Sequence, residues 1–200
     1  MTTLPPLTRA PDARNKVLDA AEGIVAARGV AALTLEAAAR EAGVSKGGLL
    51  YHFASKEMLL RGMVDRMATE MHAMFEALFA RQPEGPGRAC RAFLAWGFHN
   101  PPDQHARDLR VAAALLAAHN HDPKLLDPMR DFHARLRHLA EQDGLPHGVA
   151  KAVIAACDGM FMAQVFGIWQ ASDAERHAIE AALAGMANLS ESASAVETRA

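Results

Sequence analysis

A chain of 200 residues with 50% hydrophobic content can bury a core, as one domain or as two small ones. Its formal charge of −2 lacks the basic excess of many nucleic-acid-binding domains, but the charge is uneven: residues 1–62 carry eight Lys or Arg against six Asp or Glu, the remainder thirteen against seventeen. The two cysteines, Cys90 and Cys157, lie in alanine-rich apolar context, which argues against a disulfide framework and fits reduced core residues in a cytoplasm.

The N-terminus, MTTLPPLTRAPDAR, has no apolar run of signal-peptide length, and residues 1–11 read as a flexible arm. From Asp12, the residues Val17, Leu18, Ala21, Ile24 and Val25 recur at helical spacing up to Gly29. Arg14 and Lys16 near its start fit surface charges or neighbours of a phosphate backbone. Thr34 then caps a helix with Leu35, Ala38, Ala39 and Ala42 on one side, ended by Gly43. Ser45 caps the next, and its Leu49 can pack back on the small Ala39. Two short helices joined by so tight a turn form the helix-turn-helix pattern, in which the second helix offers its first residues to base edges in the major groove. Tyr51-His52-Phe53 follows, then Ser55-Lys56-Glu57, a cap that opens a long helix with a cation in its first turn. A helix dipole disfavours a cation there, and phosphate oxygens would account for it.

Over about Arg14–Met63 this ordered set strongly resembles the tetracycline-repressor (TetR) family of transcriptional regulators. Their DNA-binding segment reads Thr, an Ala-rich helix, Ala-Gly-Val-Ser, a short helix ending Tyr-His-Phe, then Ser-Lys-Glu. The resemblance implies DNA contacts from Thr34, Ser45, Lys46, Gly47, Gly48, Leu50, Tyr51, His52 and Lys56. Lys46 has the chemistry to donate to guanine O6 and N7, and Thr34 and Lys56 match backbone anchors. Gly47 and Gly48 cost roughly 0.8–1 kcal/mol each in a helix relative to Ala, and close approach of the backbone to DNA would justify them. Three residues depart from the family pattern: Leu50 where an aromatic is frequent, Glu36 where a basic residue is common, and Ala37 where a larger aliphatic is usual. Glu36 near a phosphate weakens binding, so affinity or operator choice is what it puts in question.

The long helix from Ser55 carries Leu59, Leu60, Met63, Met67, Met71, Met74, Phe75 and Leu78 as one stripe and ends near Ala80, before the breaker run 81–87. Beyond it the pattern predicts helices over 89–99, 106–118, 125–143, 146–171 and 173–188, with Ser172 and Glu175 forming a capping box for the last. Residues 189–200 read as a disordered tail. The organisation expected is all-α. A three-helix headpiece (12–54) is joined by a long helix to a C-terminal helical ligand-binding and dimerisation domain (55–188).

The run 152–172 is interrupted by Asp158 and too polar at its ends to span a membrane, so no membrane partner is expected. Apolar residues on the last two helices exceed what one core needs. Val153, Cys157, Val165, Ile168, Trp169, Ile179, Leu183 and Met186 are therefore candidates for a two-fold dimer interface, the arrangement the resemblance implies, while a helix buried inside its own domain is the alternative. Met67, Met71, Phe75, Phe93, Trp96, Met129, His133 and Phe161 are candidates for lining an apolar small-molecule site, although such stripes are usually plain core. None of the ten histidines falls in a Glu-x-x-His, Asp-x-x-His or His-Glu-x-x-His pattern, phosphate-loop and dinucleotide motifs are absent, and no cofactor or metal is expected. The expectation is a homodimeric repressor that a small apolar effector releases from a palindromic operator in double-stranded DNA. A helical interaction adaptor or a small helical enzyme is the alternative.

Overall fold

The structure, a computed structural model, describes residues 13–99, 122–146 and 148–187, together with positions 105, 108, 109, 111, 112, 115, 116 and 119. The arm at 1–11, Asn188 and the tail from 189 lie outside the described residues. Within them every regular element is helical: α1 (Ala13–Arg28), α2 (Leu35–Ala42), α3 (Lys46–His52), α4 (Lys56–Arg81), α5 (Arg88–Phe98), α6 (Asp127–Glu141), α7 (Val149–Val165) and α8 (Asp173–Met186), with short 3-10 turns at Val30–Ala32 and Pro123–Leu126. The helix expected over 106–118 lies largely outside the description, though the positions described there are helical. The chain divides into two compact units, 1–69 with 101–130 and 70–100 with 131–200, so that α4 contributes to both.

In the first unit α1 packs on α2 and α3, with α4 closing the same core. Val17, Leu18, Ala21, Ile24 and Val25 of α1 are buried as their spacing predicts, against Leu33, Ala38, Ala39, Leu49, Phe53, Leu59 and Met63. A side chain the size of Leu contributes about 1.5–3 kcal/mol when wholly buried, so this cluster outweighs the weak propensity of helices as short as α2 and α3. Each short helix begins and ends on local chemistry. Thr34 Oγ1 accepts from the Ala37 amide at 3.0 Å, and Gly43 takes the left-handed conformation, φ 65°, that releases the chain into the turn. Ser45 Oγ accepts from Gly48 at 3.1 Å, and Ser55 Oγ from Met58 at 3.2 Å.

One polar cluster enters this apolar unit. Arg66 on α4 is 7% exposed and Glu22 on α1 is 6% exposed. The guanidinium donates through Nε to Glu22 Oε1 at 2.9 Å, Nη2 pairs with the same carboxylate, and Nη1 donates to Asp19 Oδ1 at 2.7 Å. Burial lowers the pKa of Arg66 and the Asp19 charge raises it. The cluster ties α4 to α1 by direction as well as by apolar contact.

In the second unit α5 packs against α7 and α8, and Phe75, Phe93, Phe132, Leu136 and Val153 fill the interior. The N-terminus of α5 follows Gly87, which has no side chain to cap it. Asp143, distant in sequence, supplies the cap: Oδ1 accepts from Ala89 at 2.7 Å, Oδ2 from Cys90 at 2.9 Å, and its carbonyl from the Gly87 amide at 2.8 Å. At the start of α8 the Ser172–Glu175 capping box forms as expected. The helix expected over 146–171 is shorter than its apolar run, ending at Val165. Gly167, φ 64°, terminates it, with its amide donating to Gln164 and that of Ile168 to Ala163 at 2.8 Å. Ile168 and Trp169 therefore stand on the connection to α8 rather than on a helix. Likewise Leu125 and Leu126 belong to the 3-10 turn that Pro123 opens, and α6 starts at Asp127.

Candidate nucleic-acid interface

The helix-turn-helix core turns its apolar side chains inward and its polar ones outward. Leu49 and Phe53 are buried, as expected of core residues, whereas Leu50 is 39% exposed and Tyr51 86%. The tyrosine ring is left almost wholly in water, edge-on to His52 at 5.1 Å, and adds little to the core. Thr34 and Ser45 use their oxygens as caps, which leaves each hydroxyl proton able to donate outward.

Gly47 lies in helical conformation with nothing within 4 Å of the position a Cβ would take, so packing inside the chain does not account for it. Gly48 differs, since a Cβ there would stand 3.2 Å from Ser45 Oγ.

Both lysines are engaged. Lys56 Nζ donates to the Val30 carbonyl at 2.8 Å, at the start of the 3-10 turn. This bond orients the ammonium and gives the cation in the first turn of α4 an internal partner that carries no charge of its own. Lys46 Nζ sits 2.7 Å from Glu36 Oε1, and both side chains are 62% exposed. The Lys46 hydrogen bond, foremost, holds the Glu36 carboxyl below the usual glutamate range.

The proposed ligand residues fall in different units. Met67 and Met129 pack against the headpiece core. Phe75, Phe93 and Trp96 form an aromatic cluster in the second unit, with Trp96 edge-on to Phe93 at 5.3 Å between ring centroids and to Phe132 at 5.6 Å. His133 Nδ1 lies 3.5 Å from Asp158 Oδ2, whose carboxyl burial pushes up and His133 draws down. Met71 and Phe161 are half-buried. A cavity lined by Phe75, Cys90, Phe93, Leu136, Ala150 and Ile154 measures about 10 Å³, at the lower limit for one water, and His133, Trp96 and Phe161 do not line it.

Of the candidates for self-association, Val153, Cys157 and Leu183 are buried within their own unit, and Val165 and Ile179 are half-buried. Ile168 (77%), Trp169 (39%) and Met186 (54%) are exposed, as is Phe166 (61%), two residues before Ile168. Phe166 was not singled out in the sequence because the run containing it reads as uninterrupted helix. Reading Gly167 as a helix end would have found it. The Arg66–Glu22 pair was also missed, although a charged residue at each of two core-facing helical positions is a visible sign.

Among the described residues no helix is long and apolar enough to cross a membrane. A headpiece of this form, with its exposed recognition-helix side chains and a separate helical unit, defines a helix-turn-helix DNA-binding regulator. Family comparison agrees along the chain. Residues 17–63 match the bacterial regulatory proteins of the tetR family, and residues 87–188 match the tetracyclin repressor-like C-terminal domain. The chain therefore belongs to the TetR family of DNA-binding transcriptional regulators. No curated protein matches the sequence. Similar solved structures include SCO7518 from Streptomyces coelicolor A3(2), a proposed transcriptional regulator, at 22% identity and TM-score 0.69, covering 88% of this chain and 99% of that one. A proposed TetR-family regulator from Rhodococcus sp. aligns at 19% identity and TM-score 0.65, covering 90% and 98%. The multidrug binding protein EbrR complexed with malachite green aligns at 22% and 0.61, covering 88% and 99%.

Proposed function

We propose that this regulator is a cytoplasmic homodimeric repressor that binds a palindromic operator through α2 and α3 and leaves it when a small, largely apolar effector occupies the second unit. The observation that carries the DNA-contacting surface is the outward face of α3. Lys46, Gly47 and the exposed Tyr51 contribute little that the fold requires, and all have a use against a major groove. Thr34, Ser45, Gly48, Leu50, His52 and Lys56 complete that surface, with Thr34 and Lys56 as phosphate anchors. Lys56 would serve while keeping its bond to Val30, since an ammonium has three donors.

Exposed Phe166, Ile168 and Trp169 support self-association through the connection between α7 and α8, because three large apolar side chains so near in sequence are costly to leave in water. The Phe75–Phe93–Trp96–Phe132 cluster supports an aromatic or apolar effector, as does likeness to a protein that binds malachite green. An effector with about 100-fold preference for the non-binding form biases the equilibrium by roughly 2.7 kcal/mol.

Selection of bound duplexes from a random pool tests the reading. Enrichment of an inverted repeat with half-sites about one helical turn or a multiple apart is expected. Enrichment of a single asymmetric site would remove the dimer, and recovery of no sequence would remove the operator.

A further inference from the structure

Glu36 is the second residue of α2 and Lys46 the first of α3, and the turn between the helices brings their charges together on the outside of the headpiece. Their separation of 2.7 Å with 62% exposure on both sides describes a pair formed in water, which is weak and exchangeable. The carboxylate takes one of the three N–H donors of the ammonium, and two remain. Glu36 does nothing evident for the core. Its side-chain partner is the lysine best suited to read a base.

We propose that Glu36 is a specificity-determining residue that makes Lys46 accept neutral base edges and refuse phosphates. The inference rests on the DNA-binding reading given above. A phosphate approaching Lys46 also approaches Glu36, and the like charges oppose what the ammonium attracts. A guanine edge is uncharged and presents O6 and N7 as acceptors, so it can take the two remaining donors with the Glu36 bond kept. The pair is neutral as a unit. It therefore releases no counterion in phosphate-only encounters, and affinity for random DNA stays low while affinity for the operator is retained. The second oxygen of Glu36 can add to the discrimination by accepting from a neighbouring cytosine N4.

The test uses full-length protein, an operator recovered by selection, and a scrambled duplex of equal length, titrated from 50 to 200 mM salt. Wild type, Glu36→Gln, Lys46→Gln and the double variant are compared, with Glu36→Ala as a second removal of the charge and melting curves as the control for folding. Glu36→Gln is expected to tighten binding to the scrambled duplex more than to the operator, so the operator-to-scrambled ratio falls about threefold or more. On the scrambled duplex its salt slope should steepen by about 0.9, equal to about 3.5-fold more affinity lost over that fourfold salt range. In the Lys46→Gln background most of this change should vanish. An unchanged or raised ratio in both Glu36 variants would overturn the proposal. So would a Glu36→Gln effect of full size without Lys46, since that is plain repulsion with no masking. Failure of wild type to prefer any duplex would instead overturn the DNA-binding reading itself.

Discussion

Arg66→Met is expected to destabilise the first unit by about 3–5 kcal/mol, the usual loss when one partner of a buried pair is removed and the other charge stays inside. The size follows from burial. Glu22 is 6% exposed and holds the guanidinium through both Nε and Nη2, whereas Asp19 has a 57% exposed side chain and its bond to Nη1 is worth little in water. Methionine keeps most of the side-chain volume, so the cavity contribution is small and the loss is electrostatic. With a urea slope of about 1.5 kcal/mol/M, the unfolding midpoint moves down by about 2–3 M. Hydrogen exchange at α1 amides, read alongside the urea curve, assigns the loss to this unit. The double variant Glu22→Leu/Arg66→Met removes both charges and should recover to within about 1 kcal/mol of wild type or exceed it. A single variant within 1 kcal/mol of wild type, or a double variant as weak as the single, would refute the reasoning.

Asp143 gives a pH signature. Burial outweighs its two amide bonds and raises its carboxyl above 3.8, so the native state holds the proton more tightly than the unfolded chain. The stability it contributes is full below the unfolded value and is lost as pH rises through the raised one; Asp143→Asn should flatten that fall in a urea series run upward from pH 4, and a parallel slope in both proteins would refute it. Gly47→Ala meets no neighbour and should stabilise the fold by about 0.8–1 kcal/mol while weakening operator binding; unchanged affinity would separate this glycine from the DNA surface. Gly62→Ala should do the opposite to stability. Its Cβ would fall 2.6 Å from Phe53 Cε1, and the overpacking, about 1–3 kcal/mol, exceeds the gain in helix propensity; thermal unfolding decides, with a raised midpoint as the contrary result.

Elements whose ends depend on neighbouring residues were legible in the sequence. Thr34, Gly43 and Ser45 bound α2 and α3 through contacts three or four residues long, and Ser172 with Glu175 does the same for α8. Periodicity gave the buried face of α1 for a related reason, since one helix presents one stripe whatever it packs on. The end of α7 is hidden in the sequence because apolar residues continue past Gly167, whose positive φ ends the helix inside the apolar run. Cap and period are local quantities. Where they disagree, the backbone requirement decided.

The site was legible by residue type and not by pairing. That Lys46 and Lys56 both face partners within the chain could not be read from spacing. One pairing depends on how α2 crosses α3, and the other on a 3-10 turn 26 residues upstream that has no pattern of its own. The two contacts nevertheless differ in a way that bears on function. A carbonyl oxygen orients Lys56 without pairing it to a charge, while a carboxylate orients Lys46 and offsets its charge. Under the proposed function, a headpiece with little net charge would keep one lysine for the sequence-independent backbone and reserve the other for bases. On this view the small basic excess of residues 1–62 is no handicap to DNA binding. Non-specific attraction grows with every uncancelled cation, and a regulator that must find few sites among many gains from cancelling a cation proposed to read bases.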